Sequence, residues 1–269
     1  MKSLSALTVL TSIAGSTFAA MPAHLTIDQS RSTVTVRLTI LTSSATDSSP
    51  VTGFYDLQLN SRTAPTQLGL TDFRAALTEN LILNVNLGLL GRFNSNANNL
   101  VLFYANPPTL FGPTPVTAGA FTLTDMPVLS TGTLAYNATG FVCTQMQASN
   151  LLCVDNINLA DQPASAQTMG ASLAVVSGVA TITASINSTQ PLDPANPALG
   201  SINITGTLVA SGPIQCPADF NADNAVDFFD YLDFVQAFAT SGPGADFNSD
   251  GVVDFFDYLD FVAAFAEGC

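Results

Sequence analysis

The sequence predicts a mainly β protein, an antiparallel sandwich or barrel, followed by a small α-helical domain built from a tandem repeat. Apolar and polar residues alternate over many short stretches between residues 22 and 212, as they do along half-buried strands. Beyond residue 216 this alternation stops, and one acidic segment occurs twice. These two observations, with an apolar leader at the start, divide the chain into segments 1–19, 20–212, 213–215 and 216–269.

Residues 1–19 are predicted to be a secretory signal peptide. Lys2 precedes an apolar stretch that runs from about Leu4 to Ala14, and small residues follow at Thr17 and Ala19. The stretch is shorter than the roughly twenty apolar residues of a membrane-spanning helix, and no other segment reaches that length. We therefore expect cleavage near Ala19 and a protein that is secreted or associated with the cell surface, without a transmembrane segment.

Residues 20–212 are predicted to form one all-β domain of about ten strands. The alternation is clearest over 34–40 and 81–89. Prolines and Asn-Pro or Asp-Pro pairs separate the stretches, and no long helical pattern interrupts them. The further predicted strands are 54–59, 100–104, 120–124, 133–136, 141–143, 151–154, 173–176, 179–186 and 202–210.

The first residues of this domain, Leu25-Thr26-Ile27-Asp28 and then Ser32-Thr33-Val34, resemble the start of the lipocalin-like YceI barrels. The resemblance covers one short stretch. It implies a ligand cavity inside a barrel, whereas a packed sandwich core is the alternative.

No catalytic set is evident in the β-domain. The chain has a single histidine, His24, which is expected at the surface near the mature N-terminus, and it has no tryptophan. A non-catalytic domain is therefore the main expectation. A polysaccharide-active enzyme and a small-ligand carrier remain the alternatives: two carboxylates about 5–10 Å apart in a cleft would favour the first, and an apolar cavity of a few hundred cubic ångströms the second.

After a short linker at 213–215, residues 219–230 read DFNADNAVDFFD and residues 246–257 read DFNSDGVVDFFD. Each copy has oxygen-bearing side chains at positions 1, 3, 5, 9 and 12, with a backbone carbonyl available at position 7. This is the ligand spacing of a twelve-residue calcium loop, so two Ca²⁺ ions are predicted. The predicted ligands are Asp219, Asn221, Asp223, Ala225, Asp227 and Asp230 in the first loop, and Asp246, Asn248, Asp250, Val252, Asp254 and Asp257 in the second.

The sixth position of such a loop needs a sharp turn. Gly251 in the second loop suits a left-handed backbone, and Asn224 in the first is the non-glycine type that best tolerates it. We therefore predict that the first loop binds calcium more weakly. Four carboxylates in one short loop repel one another without a cation, so metal binding and folding of this domain are expected to be coupled.

The two loops lack an entering helix, since Pro217 precedes the first and Ser-Gly-Pro-Gly precedes the second, and an apolar helical stretch follows each. Residues 216–269 thus resemble a type I dockerin, specifically the bacterial GC-type dockerin module, which opens on Cys-Pro-Ala-Asp and ends on Gly-Cys. The resemblance implies calcium-dependent docking to a cohesin-like or other surface scaffold protein. Where cellulosomal dockerins carry small polar residues, this chain has Phe228, Phe229, Phe255 and Phe256, so the expected partner differs from a standard cellulosomal cohesin.

The helices carry more aromatic residues than so small a domain can bury. Spacing predicts that Phe229, Leu232, Val235 and Phe238 form the buried face of one helix, and Phe256, Leu259, Val262 and Phe265 that of the other. The surplus, among Phe228, Phe234, Phe255 and Phe261, either forms an exposed contact surface or packs inside the protein.

The acidic residues are concentrated in the repeat. Residues 216–269 hold eleven of the twenty Asp and Glu residues and no Lys or Arg, in a chain of net charge -14. Binding to nucleic acid is therefore excluded as a function, because no cation here can neutralise phosphates.

Four cysteines in an exported chain predict two disulfides. The most local pairing joins Cys143 to Cys153 and Cys216 to Cys269, which would close the repeat domain at both ends. The alternative for Cys269 is an attachment or processing site.

Overall fold

The computed structural model describes residues 21–193, 196–223, 225–248 and 250–268. The predicted signal peptide lies outside the described residues. Within them the chain forms twelve strands and three α-helices. The strands are β1 (Met21–Ile27), β2 (Thr33–Ile40), β3 (Ser43–Leu59), β4 (Gln67–Leu77), β5 (Leu81–Asn86), β6 (Arg92–Tyr104), β7 (Phe111–Pro115), β8 (Ala120–Ala138), β9 (Val154–Asn158), β10 (Ser165–Val176), β11 (Val179–Pro191) and β12 (Gly200–Pro213). The helices are α1 (Gly140–Ala148), α2 (Phe228–Thr240) and α3 (Phe255–Glu267).

All twelve strands belong to one antiparallel sheet. Its hydrogen-bonded order runs from β3 through β2, β12, β11, β10, β8 and β6 to β4, and β4 pairs again with β3. The pairing is therefore circular, which is the connectivity of a barrel rather than of two separate sheets. Strand β1, like β2, pairs with both β3 and β12. The three other strands each pair with one strand of the circle: β5 with β6, β7 with β4 and β9 with β8.

Alternation along the strands fills the interior with apolar side chains. In β5, Leu81, Leu83 and Val85 are buried while the residues between them are exposed, as the sequence predicts. One cluster of buried residues joins β1, the second half of β3, β4 and β11, and a smaller one joins β2, β5 and α1. Fully buried members of the larger cluster include Leu25, Leu57, Leu59, Leu68, Leu70, Leu123 and Ile182.

Two of the predicted strands are wrong. Residues 141–143 lie in α1, which begins at Gly140 after β8 ends, and residues 151–153 lie outside any strand. The predicted strand at 81–89 ends earlier, because Gly88–Leu90 forms a single turn of 3-10 helix that leaves Leu89 fully exposed. Helix α1 contains Cys143 and ends five residues before Cys153.

The predicted disulfide between Cys143 and Cys153 is present. It links α1 to Cys153, the residue just before β9. Strand β9 in turn pairs with the end of β8. Cys216 is also disulfide-bonded. Its predicted partner, Cys269, lies outside the described residues.

The residues that connect the barrel to the repeat domain are hydrogen-bonded to the barrel through their backbone. Ile214 is almost fully buried, pairs with Ala23, and donates its N–H to Gly178 O at 2.8 Å. The next N–H, of Gln215, is donated to Pro22 O at 2.8 Å. The start of the repeat domain thus lies against β1 and the β10–β11 turn. Among the described helices, none has the length and apolar character needed to cross a membrane.

Tyr55 in β3 should make the stability of the barrel fall as the pH rises through the alkaline range. It is buried, and burial raises the pKa of its hydroxyl from 10.0 to about 12. Because the folded-state pKa exceeds the unfolded one, this contribution to stability is complete below about pH 10 and is lost between about pH 10 and 12, on the order of 2–3 kcal/mol. Tyr55→Phe should flatten the free energy of unfolding in that range, measured by urea titration. Parallel losses in both proteins would contradict this assignment.

Candidate metal centre

Each acidic loop leads directly into a helix, and its last residues form the start of that helix. Asp227 and Asp254, the ninth loop residues, are the N-caps of α2 and α3 and accept the N–H of Phe229 and Phe256 at 2.8 Å. The twelfth residues, Asp230 and Asp257, accept the N–H of the N-cap in return, also at 2.8 Å. Both helices therefore begin with a complete capping box, and acidic groups lie at the positive end of each helix dipole.

The twelfth-position carboxylates are fully buried and close their loops. Asp230 Oδ1 accepts the N–H of Asn221 at 3.1 Å, and Asp257 Oδ1 accepts the N–H of Asn248 at 3.1 Å and of Phe247 at 2.7 Å. Backbone N–H groups of Asp254, Asn248 and Phe247 lower the pKa of Asp257 against the opposing effect of its burial. The third and twelfth loop positions are thus joined in both copies by the same bond.

The third and fifth positions repeat one local motif. Asn221 Oδ1 accepts the N–H of Asp223 and Asp223 Oδ1 that of Ala225, both at 2.9 Å. In the second loop the corresponding bonds, from Asp250 to Asn248 and from Val252 to Asp250, are 3.0 and 2.9 Å. In each case the side-chain oxygen accepts the N–H of the residue two positions later, which is the hydrogen bond of an Asx turn. Because a carboxylate or amide oxygen has two lone pairs, these bonds leave acceptor capacity for a cation.

The turn at the sixth position is described in the second loop only. Gly251 has φ of 91°, in the left-handed region that the sequence predicts for it. Asn224, its counterpart, lies outside the described residues.

The donor set fits calcium by its chemistry. All predicted ligands are oxygens, the hard donors that Ca²⁺ takes in six- to eight-fold coordination. Over the ranges that the structure describes, no group of three or more Asp, Glu, His or Cys side chains is drawn together as a finished metal cage. The loops thus have the hydrogen bonds that close them and the oxygen ligands that calcium needs. That their carboxylates converge on one ion remains a prediction.

The two loop-helix units pack through four phenylalanines. Phe234 and Phe261 are fully buried and stack with ring centroids 3.9 Å apart and planes at 7°. Phe220 and Phe247, the second residues of the loops, meet both rings edge-on at 5.5–6.2 Å. The core thus links each loop to both helices.

The predicted helix faces are wrong in one respect. Phe234 and Phe261, assigned to the surplus, are the buried residues, whereas Phe229, Leu232, Phe256 and Leu259 are exposed. The reason is the buried aspartate at the third residue of each helix, because Phe234 and Phe261 lie one turn after Asp230 and Asp257 on the same face. The packing of Phe220 and Phe247 against the helices was not predicted, although both recur at the second loop position.

Four exposed phenylalanines follow the loops, and two half-buried tyrosines lie on the same helices. We call these six residues the aromatic face: Phe228, Phe229, Phe255, Phe256, Tyr231 and Tyr258. The four phenylalanines are 63–64% exposed. Phe228 stacks on Tyr231 and Phe255 on Tyr258, each with centroids 6.1 Å apart. The two tyrosine hydroxyls are 3.2 Å apart, so contacts run from Phe228 through Tyr231 and Tyr258 to Phe255 across α2 and α3.

The β-domain offers no comparable constellation among the described residues. His24 is exposed as expected and pairs through Nδ1 with Asp56 Oδ1 at 2.5 Å across β1 and β3. An open cavity of about 530 Å³ lies beside β2, β11 and β12, and its lining contains neither a carboxylate pair nor an aromatic ring. Its lining residues are Ser30, Arg31, Thr33, Thr35, Ile186, Asn187, Thr205, Gly206 and Thr207.

Fold and site together define a mainly β chain with a large antiparallel sheet and a C-terminal pair of helices. Comparison with models of known protein families and with curated proteins gives no match to this chain. The dockerin-like identity of residues 216–269 and the YceI-like identity of the β-domain therefore remain predictions.

Proposed function

We propose that this chain is an exported, non-catalytic protein whose C-terminal module, residues 216–269, binds two calcium ions and docks the β-domain onto a cohesin-like or other surface scaffold protein. The observation that carries the proposal is the aromatic face. Four large apolar side chains, each 63–64% exposed, lie beside the acidic loops in two equivalent copies. Exposed apolar patches of this kind usually mark a contact surface.

The residues of the loops account for the dependence on calcium. When bound, calcium supplies the positive charge that offsets repulsion among the aspartates of each loop. Asp227 and Asp254 connect loop to helix, because each belongs to a loop and caps the helix that follows. An ordered loop therefore fixes the first turn of its helix, and with it Phe228 and Phe229 in one copy and Phe255 and Phe256 in the other.

The duplication predicts two equivalent ways of docking. Each half of the aromatic face offers one phenylalanine stacked on a tyrosine and a second exposed phenylalanine next to it in the sequence. A partner that contacts one half can therefore bind in either of two orientations related by the pseudo-symmetry of the module.

The test is capture of a partner by the full chain from extracellular material of the source organism, with and without EDTA. We expect one retained protein that is lost with the chelator. Substitution of Phe228 and Phe229 by serine should weaken binding only about twofold, because the second copy remains. Substitution of all four phenylalanines should abolish binding.

Leu89→Ser is the matched control, because Leu89 is also an exposed apolar residue but lies on the β-domain. This variant should bind like the unmodified chain. Partner binding that survives EDTA or the fourfold substitution would contradict the proposed docking surface.

A further inference from the structure

We propose that Arg62 of the β-domain competes with calcium at Asp219, so that loading of the first loop depends on contact between the β-domain and the module. The inference rests on the proposed calcium function and adds a regulatory element to it. It makes the two loops unequal for a reason that lies outside the repeat.

The contact joins a cation of the barrel to the first predicted ligand of the first loop. Arg62 Nη1 lies 3.8 Å from Asp219 Oδ2. The side chains are only 15% and 7% exposed, respectively. Water and salt screen the attraction between two partly buried charges less than the attraction between two exposed ones. Since the module itself contains no Lys or Arg, the positive charge next to this loop comes from the β-domain.

The loop that carries Arg62 is braced. Between β3 and β4, Asn60 Oδ1 accepts the N–H groups of Thr66 and Gln67 at 2.9 and 3.0 Å, and its amide donates to Thr66 Oγ1 at 2.8 Å. Ser61 Oγ accepts the N–H of Thr63 and of Ala64. Arg62 is therefore presented from a fixed turn.

Gly178 in the β10–β11 turn leaves the space that the arginine occupies. Its φ is +72°, and a Cβ built there would lie 2.7 Å from Arg62 Nε. The carbonyl of the same glycine accepts the N–H of Ile214 at the entrance to the module. One turn of the barrel thus borders both the arginine and the start of the calcium domain.

The second loop has a different environment at the equivalent position. Asp246 Oδ1 accepts the N–H of Asp250 at 3.1 Å, and Asp246 Oδ2 accepts the N–H of Gly251 at 2.9 Å. Its carboxylate is thus held by amides of its own loop, which donate without adding a full positive charge. Asp219 faces a guanidinium, and a calcium ion at the first loop has to share or displace that partner.

The reciprocal effect follows from linkage. If Arg62 weakens calcium binding to the first loop, calcium in that loop weakens the contact between Arg62 and Asp219 by the same factor. Calcium therefore loosens the attachment of the module to this side of the barrel while it orders the loop.

Calcium titration of the full chain by calorimetry tests the inference in variants with one working loop. In the Asp257→Ala background, where the first loop remains, Arg62→Gln should tighten binding by about tenfold, the order expected for removing one partly buried charge. Arg62→Lys should stay close to the parent. In the Asp230→Ala background, Arg62→Gln should change the affinity by less than about twofold.

Arg37→Gln is the matched control for net charge. Arg37 lies on β2 opposite Asn203, ten residues before the end of β12 at Pro213, and thus about 30 Å from the module along an extended strand. This variant should leave the affinity of both loops unchanged. Tightening by Arg37→Gln equal to that by Arg62→Gln would overturn the inference, as would weaker binding in Arg62→Gln.

A second readout needs no substitution. Trypsin cleaves after arginine, and Arg62 is mostly covered, so its cleavage should become several-fold faster in the calcium-loaded chain. An unchanged or slower rate would overturn the inference. Two normal calcium sites that do not respond to Arg62→Gln contradict the inference alone, whereas no calcium binding in any variant contradicts the proposed function as well.

Discussion

Asp257→Ala should leave one calcium site, the weaker one in the first loop, and Asp230→Ala should leave the tighter one in the second. Each change removes a fully buried carboxylate that closes its loop and completes a capping box. Loss of that carboxylate removes a predicted ligand and leaves part-buried backbone N–H groups without their acceptor. Calcium titration by calorimetry should therefore count one ion in each variant, with affinities between about 1 μM and 1 mM.

The matched controls are Asp233→Ala and Asp260→Ala. Both aspartates are exposed on the same helices, three residues after the loop carboxylates, and both variants should retain two ions. Equal residual affinities in Asp230→Ala and Asp257→Ala would contradict the ranking of the loops. Two ions in either of these variants would contradict the assignment of the twelfth position as a ligand.

Phe234→Ala should cause the largest loss of stability in the module. Phe234 is fully buried, stacks on Phe261 at 3.9 Å, and contacts both Phe220 and Phe247. Truncation of a buried phenylalanine typically lowers the free energy of unfolding by about 3–5 kcal/mol. We expect loss of this size in urea unfolding followed at 222 nm, where α2 and α3 dominate the helical signal.

Phe229→Ala on the same helix is the control, since Phe229 is 64% exposed. Its effect on the free energy of unfolding should stay within about 0.5 kcal/mol. A loss in Phe229→Ala as large as that in Phe234→Ala would show that the two helices pack by the face first expected from the sequence.

Alternation predicted those strands in which one face is buried without interruption. Strand β5 is the clearest case, with Leu81, Leu83 and Val85 inside. Strand β4 was missed because its register shifts at Leu68–Leu70, where three consecutive residues are buried and the period of two is lost. Strand β7 was missed because Pro113 and Pro115 were interpreted as breakers, yet prolines are tolerated in a strand at the margin of a sheet.

Strand β8 shows a different limit of the sequence analysis. It was predicted as two strands, 120–124 and 133–136, but forms one continuous strand, Ala120–Ala138. Its first half pairs with β10 and its second half with β6, and the change of partner occurs near Val128. The sequence pattern changes where the neighbours change, although the backbone continues.

In the C-terminal repeat, the left-handed turn at Gly251 and a helix after each loop were predicted, because both follow from local, repeated residues. The capping of those helices by Asp227 and Asp254 was not predicted. The contact between Arg62 and Asp219 was not predicted either, since it depends on how the β3–β4 loop meets the module in three dimensions. Likewise, helical spacing alone does not indicate that the third residue of each helix, an aspartate, is buried. The aromatics on the same face as this aspartate are therefore the ones that pack inside.

Calorimetry of the full EDTA-treated chain, with circular dichroism before and after addition of calcium, tests the central claim most directly. If the duplicated loops are metal sites whose order depends on the ion, the titration will give a saturable heat for about two ions per chain and a gain of helical signal. The absence of heat at millimolar calcium, together with an unchanged spectrum, would contradict it.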